Sequence, residues 1–554
     1  MATPCITSTA VQRYLITAII IAVLCAGLAT LAFYVPALSW IILIALVPLL
    51  VALWNTPLKP LNAVIMTWLV ATFIHACINA PLMPTIIALR DMPRFSLPVA
   101  VLVSIGAWLG LAIYQGAFTA PIGIISVVVR RRWGILLAVI AVACAWTLSE
   151  YVRSLGVMGY LWGCLAYALL PQLPLLQIAE WTGTYGLVFA IVLVNGLVAA
   201  GISYCMQGKC NDTARMRAWA MLIIAGLSVA TWYVTGLALM VKWEDELNSA
   251  KLWHVIRVGI VQGNVPRWQK RSVHMVTRLL NLHLKLTHKA LRSDVELIIW
   301  SESALPIPLN EWSYMMRQLQ RTATGNDVDM LIGALESQRV ENVTAGQTVY
   351  RYYNACYALN RTGQWMGTYR KIRLVPFGEF VPLRKRLPFM EFFAALPQDF
   401  THGNSIKPLR VSSGRFGIAI CFDSLFPWIA RMEAHQGAGA LIIITNDEWF
   451  WGSWMAKHHA DIAILRAIEN RRYLMRAANT GISRIIDPLG RVQKELQLSE
   501  RGILIGTVAL RKDASQTIYS RHGDWVIVCT ALLLIGLIIG ARLSSHRTQL
   551  ERGT

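Results

Sequence analysis

The sequence predicts a multi-span α-helical membrane domain joined to an α/β domain outside the bilayer. Three observations predict it. Apolar residues dominate from Tyr14 to Met240 and again from Asp524 to Leu543. Between them, short apolar runs alternate with amphipathic helical stretches in sequence rich in Arg, Lys and Glu. The whole chain is 56% hydrophobic and 15% charged, with a mean hydropathy of +0.50, which is too apolar for a soluble globule.

Apolar spans lie near Tyr14–Tyr34, Ala37–Trp54, Leu61–Ala80, Leu97–Ala117, Gly134–Tyr151, Tyr185–Cys205, Ala218–Met240 and Trp525–Leu543. Arg13, Lys59, Arg130 to Arg132, Lys209, Arg215, Arg217, Arg542 and Arg547 then share one face, which the positive-inside rule makes cytoplasmic. The first span runs into further spans and has no convincing small-residue cleavage site, so a retained anchor is expected rather than a signal peptide. Gly159 to Leu176 is interrupted by Pro171 and Pro174, which predicts a re-entrant or interfacial piece. The expected organisation is a seven-helix membrane domain over residues 1–241, an extracytoplasmic domain over 242–522, and a final helix with a cytoplasmic tail over 523–554. Both termini are then cytoplasmic.

A formal net charge of +21 raises nucleic acid as a partner. No basic helix with interleaved stacking aromatics accompanies it, so no nucleic acid is expected, and loops facing anionic phospholipid account for the charge.

In the middle region, residues 257–262, 297–300, 330–333, 356–359, 418–420 and 441–445 read as strands, and 272–291 and 453–473 as amphipathic helices. Alternation of this kind predicts a sheet layered with helices. Glu302, Lys371 and Cys421 each end an apolar run, where a sheet presents chemistry at its rim. A carboxylate, an ammonium and a thiol in that setting suit a proton carrier, an oxyanion cation and a nucleophile. Glu302 also has a plainer reading as a salt-bridged rim residue, and Glu379, in a Pro/Gly-rich turn, as part of a solvated loop.

Of 10 cysteines, Cys164, Cys356 and Cys421 fall on the outer side. Cys356 and Cys421 suit either a structural disulfide or free thiols; the strand before Cys421, with Phe422-Asp423 behind it, favours a reserved thiolate. No metal-binding spacing is present, so no metal is expected. His458 and His459 lack a further ligand at helical spacing and read as structural.

The runs Val261-Gln262-Gly263-Asn264, Trp300-Ser301-Glu302-Ser303-Ala304, Tyr369 to Glu379, Ile420-Cys421-Phe422-Asp423, Thr445 to Phe450 and Asn479 to Ser483 resemble the nitrilase-type carbon–nitrogen hydrolase domain. Set between seven spans and a final one, they resemble the bacterial apolipoprotein N-acyltransferase family over essentially the whole chain. Lys371-Ile372-Arg373-Leu374-Val375-Pro376-Phe377-Gly378-Glu379 is the most specific part.

That resemblance implies a nitrilase-like αββα sandwich in the periplasm, anchored in the inner membrane. It implies an enzyme that moves an acyl chain from a phospholipid, through a cysteine thioester, to the α-amino group of a diacylglyceryl-cysteine on a lipoprotein. Cys421 would be nucleophile, Glu302 general base and later acid, and Lys371 the oxyanion stabiliser. Glu379, Phe422 (through its backbone N–H) and Asp423 would support them. No cofactor is implied, and a single chain holds every part, so a monomer is expected.

Phe392, Phe393, Trp449 and Trp454 are expected to line a membrane-facing substrate entrance, with Arg384 to Arg386 holding phosphate headgroups. Packing within the soluble domain is the alternative for these aromatics. The sequence departs from the family pattern at Ser301, Phe422, Asp423, Trp451 and His458. Two further readings stay open: a membrane-bound amidase or an acyltransferase acting on another amine, and a non-enzymatic membrane protein with a relic hydrolase domain. Few ionisable residues beyond His75 and Glu150 lie in the spans, which is thin for a transport pathway.

Overall fold

The structure is a computed structural model, and it describes residues 8–87, 96–207, 212–249, 251–270, 275–342, 347–384, 386–387, 398–450, 453–513 and 515–553. Among the described residues seven helical segments are long and apolar enough to cross a membrane: Gln12–Tyr34, Pro36–Asn55, Pro60–Asn79, Leu97–Trp133, Ile135–Ser154, Ala179–Met206 and Asp212–Leu247. A shorter apolar stretch, Trp525–Gly540, opens the C-terminal helix Trp525–Gly553. The seven overlap the spans expected in the membrane domain, the fourth running on to Trp133, and the shorter stretch overlaps the expected final span.

The second span departs from a regular α-helix, being a 3₁₀ stretch Pro36–Leu43 followed by an α-helix Val47–Asn55. Such a break frees backbone groups that lipid cannot satisfy. Asn195 serves them from another helix: its Oδ1 accepts from the Leu46 N–H (2.8 Å) and its Nδ2 donates to the Ile42 carbonyl (2.9 Å). Elsewhere small residues allow close approach, as where a Cβ on Gly123 would stand 2.1 Å from the Ala63 carbonyl oxygen of the facing helix.

One end of the bundle holds Tyr14, whose hydroxyl donates to the Asn62 carbonyl (2.5 Å), and Arg131, whose guanidinium donates to the Leu58 carbonyl (2.5 Å). The other end carries the α/β domain.

Among the described residues that domain has thirteen strands: β1 Trp253–Gln262, β2 Leu297–Trp300, β3 Leu305–Pro308, β4 Asp329–Asn342, β5 Gln347–Leu359, β6 Trp365–Arg370, β7 Leu409–Val411, β8 Gly414–Ile420, β9 Ala440–Thr445, β10 Leu474–Ala478, β11 Ser483–Ile486, β12 Val492–Leu496 and β13 Gly502–Arg511. They form two mixed sheets, ordered β13-β1-β2-β4-β5-β6 with β3 beside β4, and β12-β11-β10-β9-β8-β7.

Alternation along the strands divides the side chains between layers. In β9, Ile442 and Ile444 enter the core between the sheets with Val258, Ile299 and Ile418, whereas Leu441 and Ile443 face outward. Helices Val276–Leu291 and Ser313–Gly325 cover the first sheet; Pro427–His435 and Trp454–Asn470 cover the second. This is the αββα sandwich that the resemblance implied.

All six strands expected from periodicity are present, and so are both helices, the second ending at Asn470 rather than Tyr473 because Arg471 turns left-handed at φ +48°. The later strands β10 and β11 had gone unread because Arg476 and Arg484 interrupt their apolar pattern. Both arginines are buried against carboxylates, Arg476 on Asp447 (2.6 Å) and Arg484 on Asp461 (2.6 Å).

The second sheet's helix layer rests directly on the bundle. Gly159 to Leu176 forms no further span; it carries a 3₁₀ turn Leu165–Leu169 and a short helix Leu173–Leu176, and lies in the seam. Tyr167 donates to the Leu425 carbonyl (3.0 Å) and Gln177 to the Leu489 carbonyl (3.1 Å). Arg471 pairs with Glu180 (2.5 Å), and Glu469 accepts from the Thr184 hydroxyl (2.6 Å). Gly183, at φ +65°, admits the Tyr519 ring, which a Cβ there would strike at 2.4 Å.

Candidate active site

Glu302 follows β2 and Lys371 follows β6 in the first sheet; Cys421 follows β8 in the second. The pairing of β2 with β1 and of β8 with β9 is parallel, so chemistry collects outside the carboxyl ends of neighbouring strands. All three side chains are buried.

The Lys371 ammonium lies 2.9 Å from Glu379 Oε1 and 3.4 Å from Glu302 Oε1. Burial opposes its charge, but Glu379 and Glu302 outweigh that and hold its pKa well above the ordinary lysine value. It is a fixed cation. Asn354, from β5, bridges the two carboxylates, its Nδ2 donating to Glu302 Oε1 (2.6 Å) and Glu379 Oε1 (3.0 Å). The remaining oxygens are held by backbone: Glu302 Oε2 accepts from the Asn446 N–H (2.7 Å), and Glu379 Oε2 from the Val375 N–H (2.9 Å).

Cys421 opens a 3₁₀ turn, Cys421–Leu425, at φ +51°, a sparsely populated conformation for a non-glycine residue that must be held by its surroundings. Burial pushes its thiol well above the ordinary range; the negative charge of Glu302 adds to this, and Lys371 opposes it. The resting group is a thiol.

Asp423 organises the turn. Its carboxylate accepts from the N–H groups of Arg373 (2.7 Å), Ile420 (3.1 Å) and Ile372 (3.4 Å) and from the Tyr369 hydroxyl (3.0 Å), tying the segment after Lys371 to the segment around Cys421. Burial raises its pKa to about 6, against the pull of Lys371 and these donors. Phe422 packs its ring on Phe426 and Tyr160.

A second chain of contacts reaches the same turn. The Ser424 hydroxyl donates to the Cys421 carbonyl (2.7 Å) and lies 3.0 Å from His459 Nε2, while His459 Nδ1 lies 2.8 Å from Asp447 Oδ1. Asp447 also binds Arg476 and the Thr445 hydroxyl (2.9 Å).

Of the residues expected from the sequence, the fold brings Glu302, Lys371, Cys421, Glu379 and Asp423 together, with Phe422 in the same turn as Cys421. Sequence reasoning missed Asn354, Asn446, Ser424 and Asp447, and gave His459 only a structural role. The run Thr445-Asn446-Asp447 was the available signal for two of them.

Of the expected entrance, Phe392 and Phe393 lie outside the described residues, as do Lys385 and the side chain of Trp449. Trp454 lies in the seam, stacked on His458 (4.5 Å between ring centroids) and 4.3 Å from Tyr34 of the first span. Among the described residues no group of three or more His, Cys, Asp or Glu side chains is placed to hold a metal ion.

The carbon–nitrogen hydrolase family matches residues 257–517, and the apolipoprotein N-acyltransferase N-terminal domain matches residues 25–197. The chain is 31% identical over 454 residues to the apolipoprotein N-acyltransferase of Azotobacter vinelandii, covering 81% of this chain and 82% of that one. It is 29% identical over 452 residues to that of Geobacter metallireducens, covering 80% and 82%. With a membrane bundle and an αββα sandwich in one chain, and relatives matching across both, the protein belongs to the apolipoprotein N-acyltransferase family.

Proposed function

We propose that this chain is an acyltransferase that N-acylates lipoproteins by a two-step exchange at Cys421. The observation that carries this reading is the buried Lys371 cation, clamped by Glu302 and Glu379 at the strand ends that also hold the thiol.

Because the thiol rests protonated, a base must act as it attacks. Glu302 takes the Sγ proton while sulfur bonds to the ester carbonyl carbon of a phospholipid. The oxyanion that forms is stabilised by Lys371, with the Phe422 N–H as a second donor. The ester C–O bond then breaks, the leaving lysophospholipid oxygen takes the proton back from Glu302, and a thioester remains. In the second step the neutral α-amino group of a diacylglyceryl-cysteine attacks that thioester and gives its proton to Glu302. The C–S bond breaks, an amide forms, and the sulfur recovers the proton. Asn354 and the Asn446 N–H hold Glu302 in place throughout.

Glu379 is assigned to Lys371, whose charge it balances. The buried seam around the turn keeps water from the thioester. In this reading the α/β domain stands on the periplasmic face of the inner membrane, within reach of outer-leaflet lipid and lipoprotein. The aromatic entrance remains part of the proposal, with Trp454 as its described member.

Mass spectrometry of the protein after incubation with phospholipid vesicles tests the reading. Wild type is expected to carry one acyl group on Cys421, and Cys421→Ala none. Glu302→Gln and Lys371→Met are expected to slow acylation by about 10²–10³-fold. Turnover by Cys421→Ala near the wild-type rate would remove the nucleophile assignment.

A further inference from the structure

Arg373 stands two residues past Lys371, and its backbone is fixed by Asp423 Oδ1. Its side chain leaves the α/β domain and reaches the bundle. There Nη2 donates to the Ser154 carbonyl (3.3 Å) at the end of the span Ile135–Ser154, and the guanidinium lies 4.2 Å from the Phe426 ring centroid.

Buried arginines nearby are matched to carboxylates: Arg466 to Glu469, Arg471 to Glu180, Arg476 to Asp447. Arg472, which lacks one, donates to four backbone carbonyls. Among the described residues the Arg373 guanidinium, half-buried, has neither: no carboxylate pairs with it, and Ser154 is its one hydrogen-bond acceptor. Burial accordingly pulls its pKa below the ordinary arginine value, against the charge of Asp423.

A second observation concerns the loop beneath it. Leu155, Val157 and Met158 follow Ser154 and are 49%, 72% and 37% exposed, an apolar rim at the mouth of a membrane helix. Gly159 closes this rim against the guanidinium, where a Cβ would meet Nη2 at 2.2 Å. A planar cation with open donors, beside a loop of exposed apolar side chains at the end of an apolar span, matches a phosphodiester that carries acyl chains.

We propose that Arg373 anchors the phosphate of the phospholipid acyl donor and so sets the donor ester beside Cys421. The inference rests on the acyl-transfer reading above. The diacylglyceryl-cysteine acceptor has no phosphate, so the anchor serves the donor alone.

The test uses the full-length protein with phosphatidylglycerol, or with diacylglycerol of the same chains, and reads acyl-Cys421 by mass spectrometry. Arg373→Gln is expected to raise KM for phosphatidylglycerol about tenfold or more with kcat within twofold, and Arg373→Lys to recover most of the loss. The wild-type preference for phosphatidylglycerol over diacylglycerol should vanish in Arg373→Gln, while iodoacetamide alkylates Cys421 at the wild-type rate. An unchanged KM, equal losses with both donors, or altered alkylation would overturn the anchor. A wild type that forms no acyl-Cys421 from either donor would overturn the acyl-transfer reading as well.

Discussion

Lys371 illustrates how a single residue takes its properties from distant parts of the chain. Alone in the interior it would lose its proton; between Glu302 and Glu379 it keeps it. Glu302, Lys371 and Cys421 were legible because each closes an apolar run, and because the run from Lys371 to Glu379 is distinctive. Asn354 was not, since its role depends on β5 lying beside both carboxylates, a contact that spans 52 residues to Glu302. His458 sits as a buried ring among Trp454, Trp162, Tyr167 and Phe33. Burial lowers its pKa to about 4, so the folded state favours the neutral ring. Its contribution is complete above the unfolded value of about 6.5 and is lost as pH falls toward 4, about 2 kcal/mol by pH 5. His458→Gln should remove that dependence: its thermal midpoint relative to wild type is expected to rise between pH 7.5 and pH 5. A constant difference across that range would contradict it.

At the scale of elements, the turn Cys421–Leu425 is held from two sides, by Asp423 toward β6 and by Ser424 toward the helix Trp454–Asn470. The second support runs through His459 to Asp447, whose neighbour Asn446 holds Glu302, so Cys421 and Glu302 share one brace. Ser424→Ala and His459→Gln are each expected to slow Cys421 acylation about 10- to 100-fold. The double variant should be no slower than the worse single one, since both break the same chain. Additive losses in acylation rate would refute a shared brace. The strands β2, β4, β8 and β9 were readable as apolar runs because both of their faces are covered. The strands β10 and β11 were hidden by arginines whose carboxylate partners lie on other elements.

For the molecule as a whole, the spans read cleanly from composition because a bilayer demands about 20 apolar residues in each. The seam did not, because Glu180, Arg471, Gln177 and Glu469 look like ordinary surface residues until two domains bury them together. Removing one partner of such a pair leaves a buried charge unmatched, so the α/β domain depends on its platform. Orientation is tested directly: a reporter fused after Arg132 or Arg215 is expected to read cytoplasmic, and one inserted near Gly346, between β4 and β5, periplasmic. A cytoplasmic signal at Gly346 would reverse the proposed access to outer-leaflet lipid.

The C-terminal helix packs against the span Ile135–Ser154, with Leu534 and Ile527 joining the bundle's core. A ribosome therefore finishes seven spans, then the entire sandwich, before it releases the strip that closes the bundle. Synthesis proceeds from the N-terminus, so the catalytic half is built on a floor with one plank missing. Chains truncated before Trp525 would emerge with every reactive group present and an open flank in the membrane, a product for quality-control proteases to recognise rather than a smaller working enzyme.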